Sequence, residues 1–208
     1  SEIVITMGKP LDPFGNIVDA HGQSLDGRGR PVDIQRYITG DDGQPVHDTQ
    51  RDRVYPRSAG QAVGASFRRH NTVLSTNLVA FTVFELLRAR HKGLDLYRLL
   101  RTAGDGTGLA MNVLAEAVRR VATHAKSLAS EGRLRVAEDV AHGEPTRIIQ
   151  EALRHFSTYH RGGVISRRGD RVFPDDMNLV YYYRNRLSGY GLEAQLEDLK
   201  IELQKLLL

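Results

Sequence analysis

The chain has 208 residues, 40% of them hydrophobic and 26% charged, an ordinary globular balance that leaves enough chain to bury a core in one or two domains. The absence of cysteine excludes disulfides, Cys-ligated zinc, iron–sulfur clusters and a thiol nucleophile. The net charge of +4 is uneven: residues 1–50 carry −4, 51–102 carry +7, 103–132 balance, 133–188 carry +3 and 189–208 carry −2.

The start, Ser1-Glu2-Ile3-Val4-Ile5, has no basic opening and no long apolar region, so no secretory signal is expected, and the lack of an initiator Met is read as a piece of a longer chain. Ile3 to Met7, followed by Gly8-Lys9-Pro10, predicts one strand ending at a breaker. Residues 10–50 show neither helical nor strand periodicity but repeat every seven positions. Asp12, Asp19, Asp26 and Asp33 mark the repeat, with Gly15, Gly22 and Gly29 three after the first three, and Val18, Leu25 and Val32 before the last three. Asp42-Gly43-Gln44-Pro45-Val46 is a looser echo. Such a unit predicts a turn: Asp bonds its own backbone, Gly supplies a positive φ, and the apolar residue docks. Calcium ligation is the functional alternative, but one acid in seven is sparser than an EF-hand needs, so structural turns are expected.

From Val54 the chain reads as helical. Pro56 suits a first turn, and Ala59, Ala62, Val63 and Phe67 share a face. Thr76 is placed to cap a second helix whose body, 78–87, is apolar almost all round apart from Thr82 and Glu85. A helix of that kind lies inside a bundle or dips into a bilayer interface, and the bundle is expected. Its length falls short of the ~18 apolar residues a spanning helix needs. Asp95 heads a short helix through Leu100. Leu114, Val118, Val121, Ala125 and Leu128 mark a long one closed by Gly132. Leu134 to Val136 reads as a strand. Pro145 starts a helix with Ile148, Ile149, Ala152, Leu153 and Phe156 on one face. Val164–Ser166 and Arg171–Phe173 flank Arg167-Arg168-Gly169-Asp170 as a hairpin. Asp175 heads a helix carrying Met177, Leu179, Val180, Tyr183 and Leu187. Leu192, Leu196, Leu199, Leu203 and Leu206 form a coiled-coil-like seam that packs on its own domain or pairs with another chain. The fold class expected is α+β, mostly α. It divides into a strand and turn-rich segment (1–50), a helical bundle (51–132), a helix–hairpin–helix unit (133–191) and a leucine-seam helix (192–208).

Chemistry-bearing motifs are few. Two HxxxxD matches, His21 to Asp26 and His47 to Asp52, have the spacing of an acyltransferase base and its orienting carboxylate. No phosphate-binding Phe-Pro-Glu-Gly-type loop follows either, and Asp26 already belongs to the seven-residue repeat, so both read as chance matches. There is no P-loop and no GxGxxG. His155 and His160 stand five apart and do not share a helix face, so no metal site is expected. One cluster remains, Tyr181-Tyr182-Tyr183-Arg184-Asn185-Arg186. On a helix, Tyr183 joins the stripe of 179, 180 and 187. Arg184 falls at the stripe's edge, where its stem lies on apolar surface and its fork reaches a carboxylate or carbonyl of another segment.

Three stretches together carry a resemblance. They are Ile3 to Leu11 with its Gly8-Lys9-Pro10-Leu11 end, the Asn-bearing apolar stretch His70 to Ala80, and Tyr182-Tyr183-Arg184-Asn185. In this order the chain, over residues 2–191, resembles the C-terminal half of a membrane-associated glycerol-3-phosphate acyltransferase. The Asp-Pro-Phe-Gly-Asn stretch and Arg28-Gly29-Arg30-Pro31-Val32-Asp33 resemble a bacterial branch of that family. The resemblance implies acyl transfer from acyl-CoA or acyl-carrier protein to glycerol 3-phosphate. The catalytic HxxxxD segment would lie upstream of Ser1, so no catalytic residue, metal or cofactor is carried over. It further implies a peripheral position on the cytoplasmic face of an anionic membrane, and a docking role for Tyr182, Tyr183, Arg184 and Asn185. The alternatives are a winged-helix-like nucleic-acid module built on 133–188, not favoured because no helix there is strongly basic, and an oligomerisation module using the leucine seam.

Overall fold

The computed structural model describes residues 4–102, 106, 108–160 and 162–205. The fold is α+β and mostly α, in two compact units that meet in sequence between Asn71 and Thr72.

In the first unit, residues 4–10 form neither strand nor helix, against the strand expected at Ile3–Met7. Ile5 and Met7 stand exposed there, with no ladder partner to complete a strand among the described residues. The repeat forms a series of nearly identical turns. Asp12 N donates to Asn16 O (2.9 Å) and Gly15 N to Asp12 O (3.0 Å). The same two bonds recur at Asp19 with Gln23 and Gly22, at Asp26 with Arg30 and Gly29, and at Gly40 with Gln44 and Gly43. The carboxylates lock the turns from inside: Asp19 Oδ1 accepts from His21 N and Gln23 N, and Asp26 Oδ1 from Arg28 N and Arg30 N. Gly15, Gly22, Gly29 and Gly43 hold φ from +74° to +89°, which a side chain would strain. Between turns the chain pairs with itself: β1 (Ile17–Val18) lies antiparallel to β2 (Ser24–Leu25), with bridges at Leu11–Ile17, Leu25–Pro31 and Thr39–Pro45. Asp33 departs from the pattern. The residue three later is Arg36, not Gly, and Asp33 instead caps a 3-10 turn, Ile34–Tyr37.

Helix α1 (Thr49–His70) starts earlier than Pro56 suggested. The Asp48 carboxylate accepts from Gln50 N and Arg51 N and fixes the start there, leaving Pro56 inside the helix, where the missing N–H costs one ladder bond. The face of Ala59, Ala62, Val63 and Phe67 is not buried, and Phe67 keeps 74% of its surface. The aromatic packing of this unit is the trio Phe14, Tyr37 and Tyr55, with centroids 4.8–5.2 Å apart.

The second unit is built around α2 (Ser75–Arg90), which follows β3 (Thr72–Val73). Leu78, Phe81, Phe84, Leu86 and Leu87 are all fully buried, and so is Thr82, whose hydroxyl donates back to Leu78 O. Burying each such apolar side chain contributes about 1.5–3 kcal/mol, so the all-round apolar helix is the centre of the core and not a lipid-facing element. Around it stand α3 (Leu96–Thr102), headed by Asp95, whose Oδ1 accepts from Arg98 N; β4 (Leu109–Ala110); and α4 (Met111–Ser130). α4 buries Leu114, Val118, Val121, Ala125 and Leu128 and ends in a Schellman closure, Arg133 N to Leu128 O and Gly132 N to Ala129 O. Next come β5 (Arg135–Val136), α5 (Glu138–His142), α6 (Pro145–Tyr159), the hairpin β6 (Ile165–Arg168) and β7 (Arg171–Pro174), and α7 (Met177–Arg184). β5 pairs parallel with β3, and β7 lies antiparallel between β4 and β6, with Gly169 at φ +65° in the two-residue hairpin loop.

Two caps differ from expectation. Leu74, not Thr76, precedes α2, because Asn77 Oδ1 accepts from Leu74 N (3.2 Å). Asp176, not Asp175, caps α7; Asp175 turns instead to Ser166 and Arg168 of the hairpin. The leucine seam is not one helix. Leu192–Leu196 is a 3-10 turn entered from Gly191, and α8 runs from Glu197 to Lys205. Leu192, Leu196 and Leu199 are buried in the chain's own core; the side chain of Leu203 and all of Leu206 lie outside the described residues.

Candidate functional site

Two stretches far apart in sequence meet in the second unit. The first turn of α2 contributes Leu74, Thr76 and Asn77, and the α7 end contributes Tyr182, Tyr183, Asn185 and Arg186. Together they line a groove of about 670 Å³. Asn77 ties the two sides: its Oδ1 accepts from Leu74 N and its Nδ2 donates to Tyr183 O at 3.4 Å. Tyr183 is half-buried, its ring edge-on to Phe156 (5.2 Å) and its hydroxyl 2.9 Å from His160 Nε2. Tyr182 is exposed at the rim.

Arg184 turns away from this groove and into the core. Its side chain keeps 11% of its surface, and its Nη2 donates to Glu85 Oε1 at 2.8 Å. Nη1 donates to Ser188 Oγ (2.8 Å), and the plane lies 5.2 Å from the Phe84 centroid and 5.9 Å from Tyr181. Glu85 is 3% exposed and is held on its other oxygen by Lys200 Nζ at 3.3 Å. Glu193 and Glu197 complete the network at its rim. One buried carboxylate from α2 thus joins two cations, one from α7 and one from α8, each with its own further acceptors, which is what a buried charge requires. The network ties three helices of one unit together and presents no reacting group.

Glu85 and Lys200 were not singled out in the sequence. The signal for Glu85 was present, since the one carboxylate in a helix apolar on every side must find a cation. Its partners, 99 and 115 residues away, carry no local mark.

The other sequence candidates lie elsewhere. Asp26 is a turn residue that also pairs with Arg30. His47 Nδ1 does reach Asp52 Oδ2 at 2.9 Å, but His47 is 84% exposed and Asp52 also accepts from Arg51, so the pair sits in water, where it is weak. Among the described residues no group of His, Asp and Glu is placed to hold a metal ion, and no helix is long and apolar enough to cross a membrane. Comparison with protein-family models, with curated proteins and with solved structures gives no match.

Proposed function

We propose that this chain is the C-terminal accessory portion of a bacterial glycerol-3-phosphate acyltransferase, acting beside a separate HxxxxD catalytic domain in phospholipid synthesis. The observation that supports this reading most is a convergence. Of the three stretches that carry the resemblance, 70–80 and 182–185 are over a hundred residues apart, yet Asn77 and Tyr183 of the two are hydrogen-bonded across one groove. In this reading the acyl donor is acyl-CoA or acyl-carrier protein, the acceptor is glycerol 3-phosphate, and the protein docks peripherally on the anionic cytoplasmic face of the membrane. Arg184 serves as a clamp for the helices that support the groove, and Tyr182, Tyr183 and Asn185 face whatever the groove receives.

The test is acyl transfer to glycerol 3-phosphate, measured on the isolated chain and on the complete polypeptide in membranes of cells that make it. Activity is expected from the complete polypeptide and none from the isolated chain, which carries no phosphate loop. Turnover by the isolated chain that is lost on His21→Ala would place the chemistry in the repeat, and a complete polypeptide without activity would end the acyltransferase reading.

A further inference from the structure

The segment before the first turn has the sequence of a strand and no strand beside it. Ile3-Val4-Ile5-Thr6-Met7 is β-branched or apolar at every position. Yet among the described residues no N–H or C=O of residues 4–9 forms a hydrogen bond, and the first backbone bond of this part of the chain runs from Val18 N to Pro10 O (2.9 Å).

A second, independent observation comes from the side chains. Met7, Ile5 and Phe67 keep 90%, 81% and 74% of their surface, the highest values for any large hydrophobic side chain among the described residues. All three stand within three residues of a single contact in the first unit, where Gly8 lies against the last turns of α1: a Cβ there would stand 2.8 Å from Ser66 Oγ and 3.0 Å from His70 Cε1. Ile5 and Met7 alternate with Thr6, which is half-buried, so the exposed side chains recur at the period of a strand.

We propose that residues 4–9 are a strand that completes the open edge of a β-sheet in another domain, a sheet covered on both of its faces. Unpaired backbone groups beside exposed apolar side chains are what an added strand uses: ladder bonds hold it, and alternate side chains fill pockets on the sheet. Ile5 and Met7 line one face of such a strand and Val4 and Thr6 the other. Apolar residues on both faces are the pattern of a strand between two layers, as in sheets with helices on either side. A lipid surface would take Ile5 and Met7 but offers no ladder to the backbone. A second copy of the segment offers only a two-stranded ribbon, which is marginal in water. The inference rests on the reading of the chain as a portion of a larger enzyme, whose catalytic domain then supplies the sheet.

The experiment compares amide hydrogen exchange, read by mass spectrometry, in the 208-residue chain and in the complete polypeptide as cells make it. Peptides covering residues 4–9 should exchange at the rate of an unstructured chain in the first, and on the order of a hundredfold more slowly in the second. Ile5→Asp with Met7→Asp should remove that protection and leave α2 protected, since both side chains are exposed in the isolated chain. The conservative pair, Ile5→Val with Met7→Leu, should keep it. The pairing fails if residues 4–9 exchange freely in the complete polypeptide, if their protection survives the two aspartates, or if the conservative pair loses it. Protection in the 208-residue chain that rises with its concentration would assign the strand to a second copy and overturn the proposal likewise. An active complete polypeptide with these amides unprotected ends the pairing and keeps the acyltransferase reading; an inactive one with these amides protected does the reverse.

Discussion

Arg184 and Glu85 show how one residue's surroundings set its role. The apolar stripe at 179, 180, 183 and 187 puts Arg184 at its edge, and that much follows from the sequence around it. Its partner follows from nothing local, because α2 and α7 are adjacent only in the folded core. The pair is a structural commitment: a carboxylate 3% exposed has given up its water and depends on Arg184 and Lys200 for replacement. Arg184→Ala leaves that carboxylate with one cation and should cost about 3–5 kcal/mol, read as a lower midpoint in thermal or urea unfolding. Replacing both charges with apolar groups of similar volume, Glu85→Leu with Arg184→Met, should recover most of the loss, because the one cation left behind, Lys200, keeps Glu197 and the Glu193 carbonyl as acceptors. A single Arg184→Ala that melts like the parent chain would show that the pair contributes nothing and that Arg184 is free to serve a ligand.

At the scale of elements, the seven-residue repeat is the part most legible in the sequence, since each turn needs only its own Asp, its own Gly and the residues between them. Bonds from the backbone and side chain of Arg30 hold the Asp26 carboxyl below its ordinary value of 3.8, and the backbone bond from Arg51 does the same for Asp48. A carboxyl whose pKa is lowered in the folded state stabilises that state above the ordinary value and stops doing so as the pH falls through the lowered one. Amide protection at Arg28 and Arg30 should therefore persist through pH 3.8 and vanish below it; loss of protection well above that pH would mean that Asp26 does not hold the turn. The long helices were legible for a related reason: α4 and α6 show their buried faces as 3.6-residue stripes, and Gly132 marks a closure. What was not legible depended on distant contacts. The strand expected at 3–7 has no ladder partner among the described residues, the start of α1 was decided by Asp48 and not by Pro56, and the leucine seam opens as a 3-10 turn over Leu192–Leu196 before α8 begins at Glu197. The groove was missed although both its sides, 70–80 and 182–185, were singled out, because nothing local joins residues 106 apart and Thr76 read as a cap.

Across the whole molecule the two units are stabilised by different means. The buried apolar residues run from Val73 to Leu199, and among the described residues 4–71 none is a buried hydrophobic. The second unit is therefore held by the apolar area it removes from water, whose many contributions act together and unfold together. The first is held by turn hydrogen bonds, each worth about 1 kcal/mol, and by the rings of Phe14, Tyr37 and Tyr55, so it can open locally at low cost. Arg28, Arg36, Arg53, Arg57, Arg68 and Arg69 all stand exposed in it and offer sites to trypsin. Limited digestion should cut there first and leave a fragment beginning near residue 72. Because its core is complete without residues 4–71, that fragment should keep the principal melting transition of the whole chain. Early cleavage instead at arginines of α4 or α6, or a fragment that no longer melts cooperatively, would show that residues 4–71 are needed to close the core and that the second unit does not stand on its own burial.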